Sequence, residues 1–137
     1  MRYFLSFAYR GTDFHGSQTQ PNGNTVQAEM ETAFATILRQ PVTLTFAGRT
    51  DAGVHAEHMI AHFDFEKSLP VNFIGRLNNL LPNSIAVSAL QHVSDDAHAR
   101  FDAESRTYKY FAHTSKNPFA YPLSWQCQPT LDFELMN

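Results

Sequence analysis

The sequence predicts an α+β fold, an antiparallel sheet with two helices on one of its faces. Two observations carry this reading. Four short stretches have the length and apolar character of strands, and two longer ones repeat their apolar residues at helical spacing. Proline and glycine punctuate the junctions between them.

The first strand is expected over residues 2–10, where Tyr3, Leu5, Phe7 and Tyr9 fall on one face and Phe4, Ser6 and Ala8 on the other. A polar loop follows to Asn24. The first helix is expected over 25–40, with Val26, Met30, Ala33, Phe34, Ile37 and Leu38 in register. Asn24 is the expected cap, Gln27 its reciprocal partner, and Pro41 the stop. Strands are expected over 42–47 and 59–66, separated by a break at 48–55 that holds two glycines. Pro70 opens a second helix, over 70–81, which Pro82 ends. A fourth strand is expected over 85–93 and an additional one near 106–113.

The first six elements run β-α-β-β-α-β. This is the ferredoxin-like arrangement, also used by RNA-recognition (RRM-like) modules, and by itself it carries no function. Residues 1–114 read as one domain and 115–137 as an irregular tail, whose closing residues 131–137 are the weak start of a further element.

The 137 residues are 43% hydrophobic and 17% charged, a balance that suits a folded domain. A formal net charge of −3 argues against a simple nucleic-acid binder, although only local charge matters at a groove. Arg100, Arg106, Lys109 and Lys116 form the most basic stretch, diluted by Asp102 and Glu104. The lone cysteine, Cys127, forms no internal disulfide, and a reducing cytoplasm is the default. Neither a signal peptide nor a run of roughly 18 apolar residues is present, so no membrane span is expected.

Several segments can carry chemistry. Gly48-Arg49-Thr50-Asp51-Ala52-Gly53-Val54-His55 joins two strands, with glycines that permit a tight turn and a close approach to a ligand. An arginine near Asp51 favours the ionised carboxylate, which can act as nucleophile or base. A polar turn stabilised by an Arg–Asp pair is the commoner use of such residues. The loop at 10–18 can approach a phosphate or a base, or can be plain surface. Tyr108 and Tyr110 share a strand face and suit either core packing or base stacking. His55, His58 and His62 have the spacing of metal ligands on a helix. On a strand His55 points away from the other two, so no metal site is expected.

In combination these segments resemble the TruA family of tRNA pseudouridine synthases. That family carries a Tyr-x-Gly-x-x-Phe-x-Gly-x-Gln stretch, matched here by Tyr9, Gly11, Phe14, Gly16 and Gln18. Thr25-Val26-Gln27 matches its helix start, and Ala47 through His55 matches its Asp loop without departure. Asn78 through Pro82, His98-Ala99-Arg100-Phe101 and Tyr108-Lys109-Tyr110 follow in the family's order. Two positions depart: Ser17 stands where members often have Trp, and Met59 where they often have Gln. Family members are also longer and contain a second, similar half, to which nothing here corresponds.

The resemblance implies an isomerase that converts uridine to pseudouridine in the tRNA anticodon stem-loop without cofactor or metal. It implies that Asp51 is the catalytic carboxylate, that Arg49 and Tyr108 bind the substrate nucleotide, and that Arg10 and Arg100 meet RNA phosphates. It further implies tRNA as partner and a homodimer for the complete protein. A binding module of RRM-like fold without catalysis is the alternative for so short a chain.

Overall fold

A computed structural model describes residues 1–128, 132 and 134–136. Contacts divide the chain between Glu104 and Ser105 into two compact units, where the sequence suggested a boundary near 114.

The first unit contains β1 (Arg2–Tyr9), α1 (Val26–Leu38), β2 (Thr45–Phe46), β3 (Ala56–Asp64), α2 (Phe73–Leu80) and β4 (Ile85–Val93). Its sheet has the order β2-β3-β1-β4, with every neighbouring pair antiparallel. This is the ferredoxin-like topology. β1 lies between long partners, pairing from Arg2↔Asp64 to Tyr9↔Ala56 on one side and from Arg2↔Val93 to Tyr9↔Ile85 on the other, with one register shift in each ladder.

Alternation along β1 decides what is buried. Leu5, Phe7 and Tyr9 face the helices and join Ala61 and Phe63 of β3 and Val87 of β4 in one apolar cluster. Val26, Met30, Phe34 and Ile37 cover it from α1, and Phe73 and Leu77 from α2. Phe34 is fully buried, with its ring centroid 4.9 Å from Phe63 and 5.2 Å from Phe73, edge-on to both. Such geometry adds about 0.5–1.5 kcal/mol to simple burial.

Local chemistry sets the helix ends. Thr25, not Asn24, caps α1: its side chain accepts from the Ala28 N–H. Gln27 does not close a capping box but turns to Thr19, Glu31 and Leu44. At the other end Arg39 turns left-handed at φ 56°, two residues before Pro41. α2 starts later than Pro70, after Asn72 at φ 55°, a backbone conformation that asparagine tolerates. Leu81 is extended, as a residue before proline prefers, and ends α2.

The strand expected over 42–47 shrinks to Thr45–Phe46. Val42 and Leu44 still point into the core. Leu44, however, donates its N–H to Glu31 Oε1 (2.9 Å), and its carbonyl accepts from Gln27 Nε2 (3.0 Å). Side chains of α1 thus take the place of a ladder.

β4 is the edge strand opposite β2. Near its start, Asn78 of α2 binds both main-chain groups of Val87, donating to the carbonyl (2.9 Å) and accepting from the N–H (2.8 Å).

The second unit begins at Ser105. The strand expected near 106–113 is present only as β5 (Ala112–His113), which pairs in parallel with β6 (Trp125–Gln126). The pairing is anchored by the Trp125 N–H donating to the Phe111 carbonyl (2.8 Å) and the Cys127 N–H to the His113 carbonyl (2.9 Å). Cys127 is buried there as a free thiol. Leu131, Phe133 and Asn137 of the closing segment lie outside the described residues.

Candidate active site and nucleic-acid interface

The 48–55 loop leaves the sheet after β2 and returns at β3. Its last rung on the sheet is the Ala47 N–H donating to the Ile60 carbonyl (2.8 Å). Beyond that, the loop packs on the 10–18 loop. Thr50 is held there by all three of its polar groups. Its N–H donates to Ser17 Oγ (2.8 Å) and its carbonyl accepts from the Ser17 N–H (3.0 Å). Its hydroxyl is 2.8 Å from that of Tyr9.

Downstream, the Val54 N–H donates to the Asp51 carbonyl (3.2 Å), which closes a turn through Gly53 at φ +81°. Only glycine adopts that φ without strain. The Gly11 N–H donates to His55 Nδ1 (2.9 Å). Gly11 also lies so close to the Val54 carbonyl that a Cβ there would overlap it. Asp51 therefore stands exposed at a tip whose two feet are both clamped.

Arg49 is exposed, and no ion pair joins it to Asp51. The loop-stabilising Arg–Asp pair is therefore not what this segment uses. Arg49 instead lines a cleft of about 240 Å³ together with Gln18, Gln27, Thr45, Phe46 and Arg100. No carboxylate lines that cleft, so it suits an anion; Asp51 lies outside its lining.

Arg100 reaches the cleft from a turn built on two histidines. The His98 N–H donates to Asp102 Oδ2 (2.7 Å), and His98 Nδ1 accepts from the Arg100 and Phe101 N–H groups (3.2 and 3.3 Å). The Ala99 N–H donates to Nδ1 of His62 (3.2 Å), a β3 residue only 6% exposed. Burial, helped by the nearby Arg2 and His98, lowers the His62 pKa. A neutral ring is what an accepting Nδ1 needs. The His62 ring meets that of His98 edge-on, with centroids 4.5 Å apart, and His98 stacks on Phe101 at 4.1 Å.

A family model described as tRNA pseudouridine synthase matches residues 5–102, from β1 through the Arg100 turn. The chain belongs to the tRNA pseudouridine synthase family. Among similar proteins, each named tRNA pseudouridine synthase A, that of Parabacteroides distasonis is 52% identical over 99% of this chain and 55% of its own length. That of Bacteroides thetaiotaomicron is 50% identical over 99% of this chain and 51% of its own length. That of Aquifex aeolicus is 39% identical over 98% of this chain and 57% of its own length. The chain thus spans about half the length of the curated relatives it matches.

In this member of the family the first unit carries Asp51, Arg49 and Arg100 on loops, and Arg49 and Arg100 share the cleft. Arg10 is exposed; its N–H donates to the Ser84 carbonyl (2.8 Å), and it does not line the cleft. Tyr108 belongs to the second unit. It is 63% exposed and Tyr110 95%, so core packing does not explain either ring.

The histidines do not converge on a metal. His55 and His62 each use Nδ1 to accept a backbone N–H, and His58 is exposed. Among the described residues no group of three or more His, Cys, Asp or Glu could hold an ion. Ser17 and His62 are the residues whose roles sequence reasoning missed. Ser17 was visible as a departure from the family pattern. His62 had no local signal, because its partner Ala99 is 37 residues away.

Proposed function

We propose that the protein acts as a tRNA pseudouridine synthase, isomerising uridine to pseudouridine in the anticodon stem-loop, with Asp51 as the catalytic carboxylate. The observation that carries this reading is an exposed carboxylate on a doubly clamped loop, next to a cleft that presents two arginines. The glycosidic bond from the sugar to N1 breaks, the uracil turns, and a bond to C5 forms. The C5 hydrogen leaves as a proton, and N1, which keeps the electron pair of the broken bond, takes one up. Atoms and electrons balance without a redox partner, so the chemistry needs no cofactor. Asp51 can serve by attack on sugar or base, or by taking a proton from the sugar, and each role needs a charged oxygen held still.

Arg49 and Arg100 would bind phosphates of the RNA around the target nucleotide, which must leave its stack to reach the carboxylate. Arg10 would contact the backbone further out, and Tyr108 would stack on the extruded uracil. The complete protein would supply a second half to the cleft and would work as a cytoplasmic homodimer on tRNA. For this chain, no helix among the described residues is long and apolar enough to cross a membrane.

Tritium release from C5-tritiated uridine in an anticodon stem-loop RNA tests the reading. The chain, or the same chain joined to the remaining half of a relative, is expected to release tritium. Asp51→Asn is expected to release none while retaining RNA affinity. Release by the Asp51→Asn protein would remove Asp51 from the chemistry.

A further inference from the structure

We propose that Ser17 is the positioning residue of the Asp51 loop, and that its hydroxyl oxygen fixes the backbone from which Asp51 projects. The inference rests on the reading of Asp51 as the reactive carboxylate.

The argument follows the hydrogen bonds outward from the core. Helix α1 is rooted in the core by Val26, Met30 and Phe34. Its first N–H groups have no partner within the helix. The Val26 N–H donates to the Gly16 carbonyl (3.4 Å) and the Gln27 N–H to the Ser17 carbonyl (2.9 Å). Ser17, fully buried, is thereby fastened to the end of a core helix. Ser17 in turn holds Thr50 by two bonds, N–H to carbonyl (3.0 Å) and Oγ from N–H (2.8 Å). Asp51 is the next residue.

The side chain is indispensable to this relay. In an ordinary antiparallel pair the Ser17 carbonyl would receive the Thr50 N–H. Here that carbonyl is turned to α1, so the Thr50 N–H needs another acceptor. Ser17 Oγ is the one that reaches it. Alanine at 17 keeps both main-chain bonds and nearly the same volume, yet leaves a main-chain donor without its partner. Thr50 then keeps its carbonyl and hydroxyl contacts, and the Arg49–Thr50 peptide loses the bond that fixes its plane, which frees the chain to swing about Thr50. A carboxylate at a loop tip is sensitive to such tilting, because a misplacement of about 1 Å costs on the order of 100-fold in rate.

Ser17→Ala in the full chain tests this with two readouts. Hydrogen exchange by NMR is expected to show the Thr50 amide exchanging at least about tenfold faster, while amides in the second half of α1 keep their rates. Tritium release is expected to fall by about 10- to 100-fold in kcat with KM within about twofold. Ile37→Val, a core cut at the far end of α1, is the control for a general loss of stability and is expected to leave kcat unchanged. An unchanged Thr50 exchange rate in Ser17→Ala overturns the proposal whether or not the chain turns over RNA. So does a kcat equal to that of the parent, or one that falls equally in Ile37→Val. Turnover by Asp51→Asn would instead overturn the reading of Asp51 and leave the exchange result to decide the bond from Ser17 to Thr50.

Discussion

Burial of His62 against the 97–102 turn ties the charge on one ring to the stability of the turn that carries Arg100. The folded pKa of His62 lies below its ordinary value of 6.5, chiefly because burial disfavours the cation. As pH falls through that value the unfolded chain takes up the proton first, so the unfolded state binds more protons and stability drops with acid. The loss begins near pH 6.5 and levels off below the folded pKa, with a slope of at most about 1.4 kcal/mol per pH unit. Urea denaturation across pH 7.5 to 5.5 should show this decline, and His62→Gln should flatten it. At this scale the sequence was most informative where one residue carries its own signal. The exposed loop position of Asp51 was legible from the glycines on either side of it. The Thr25 cap was misread by one position, because Thr25 and Asn24 are both good caps and only the start of α1 distinguishes them. The role of Ser17 was illegible, since it depends on which way its carbonyl turns.

Strands and helices were legible wherever they pair or pack within the first unit. β4 matches its expected bounds, and β1 and β3 are displaced by three residues or fewer at either end. The outer strand was legible as alternation but not as a ladder. Val42 and Leu44 follow the period of two, while Glu31 and Gln27 intercept the main-chain groups of Leu44. No pattern along 42–47 could disclose acceptors that come from a helix. Glu31→Ala should therefore cost more than an ordinary surface change, about 1–3 kcal/mol, because the N–H of buried Leu44 loses its acceptor. Urea denaturation at neutral pH measures that difference. The shortened β5 teaches the converse lesson. Alternation over 106–113 shows what a strand there would display, but pairing depends on a neighbour that the alternation does not specify.

On the scale of the molecule, the buried apolar cluster runs from Leu5 to Val87, entirely within the first unit. A chain ending at Glu104 should therefore keep its fold and unfold cooperatively, with Tm within a few degrees of the parent's; circular dichroism would measure it. The second unit, by contrast, leaves Tyr110, Phe119 and Trp125 exposed at 95%, 97% and 68%. The ferredoxin-like frame was readable from the order of elements, because a helix between two non-adjacent strands leaves few ways to close a sheet. How the second unit is used was not readable from composition, since exposed aromatics suit RNA and protein alike. One detail of the frame bears on how copies of the molecule coexist. Among the described residues β4 ends the sheet, and an open sheet edge is an invitation to any extended chain. Near the start of that edge Asn78 meets the outward N–H and carbonyl of Val87, as a strand one residue long would. The same side chain that joins helix to sheet thus withholds that rung from a passing strand.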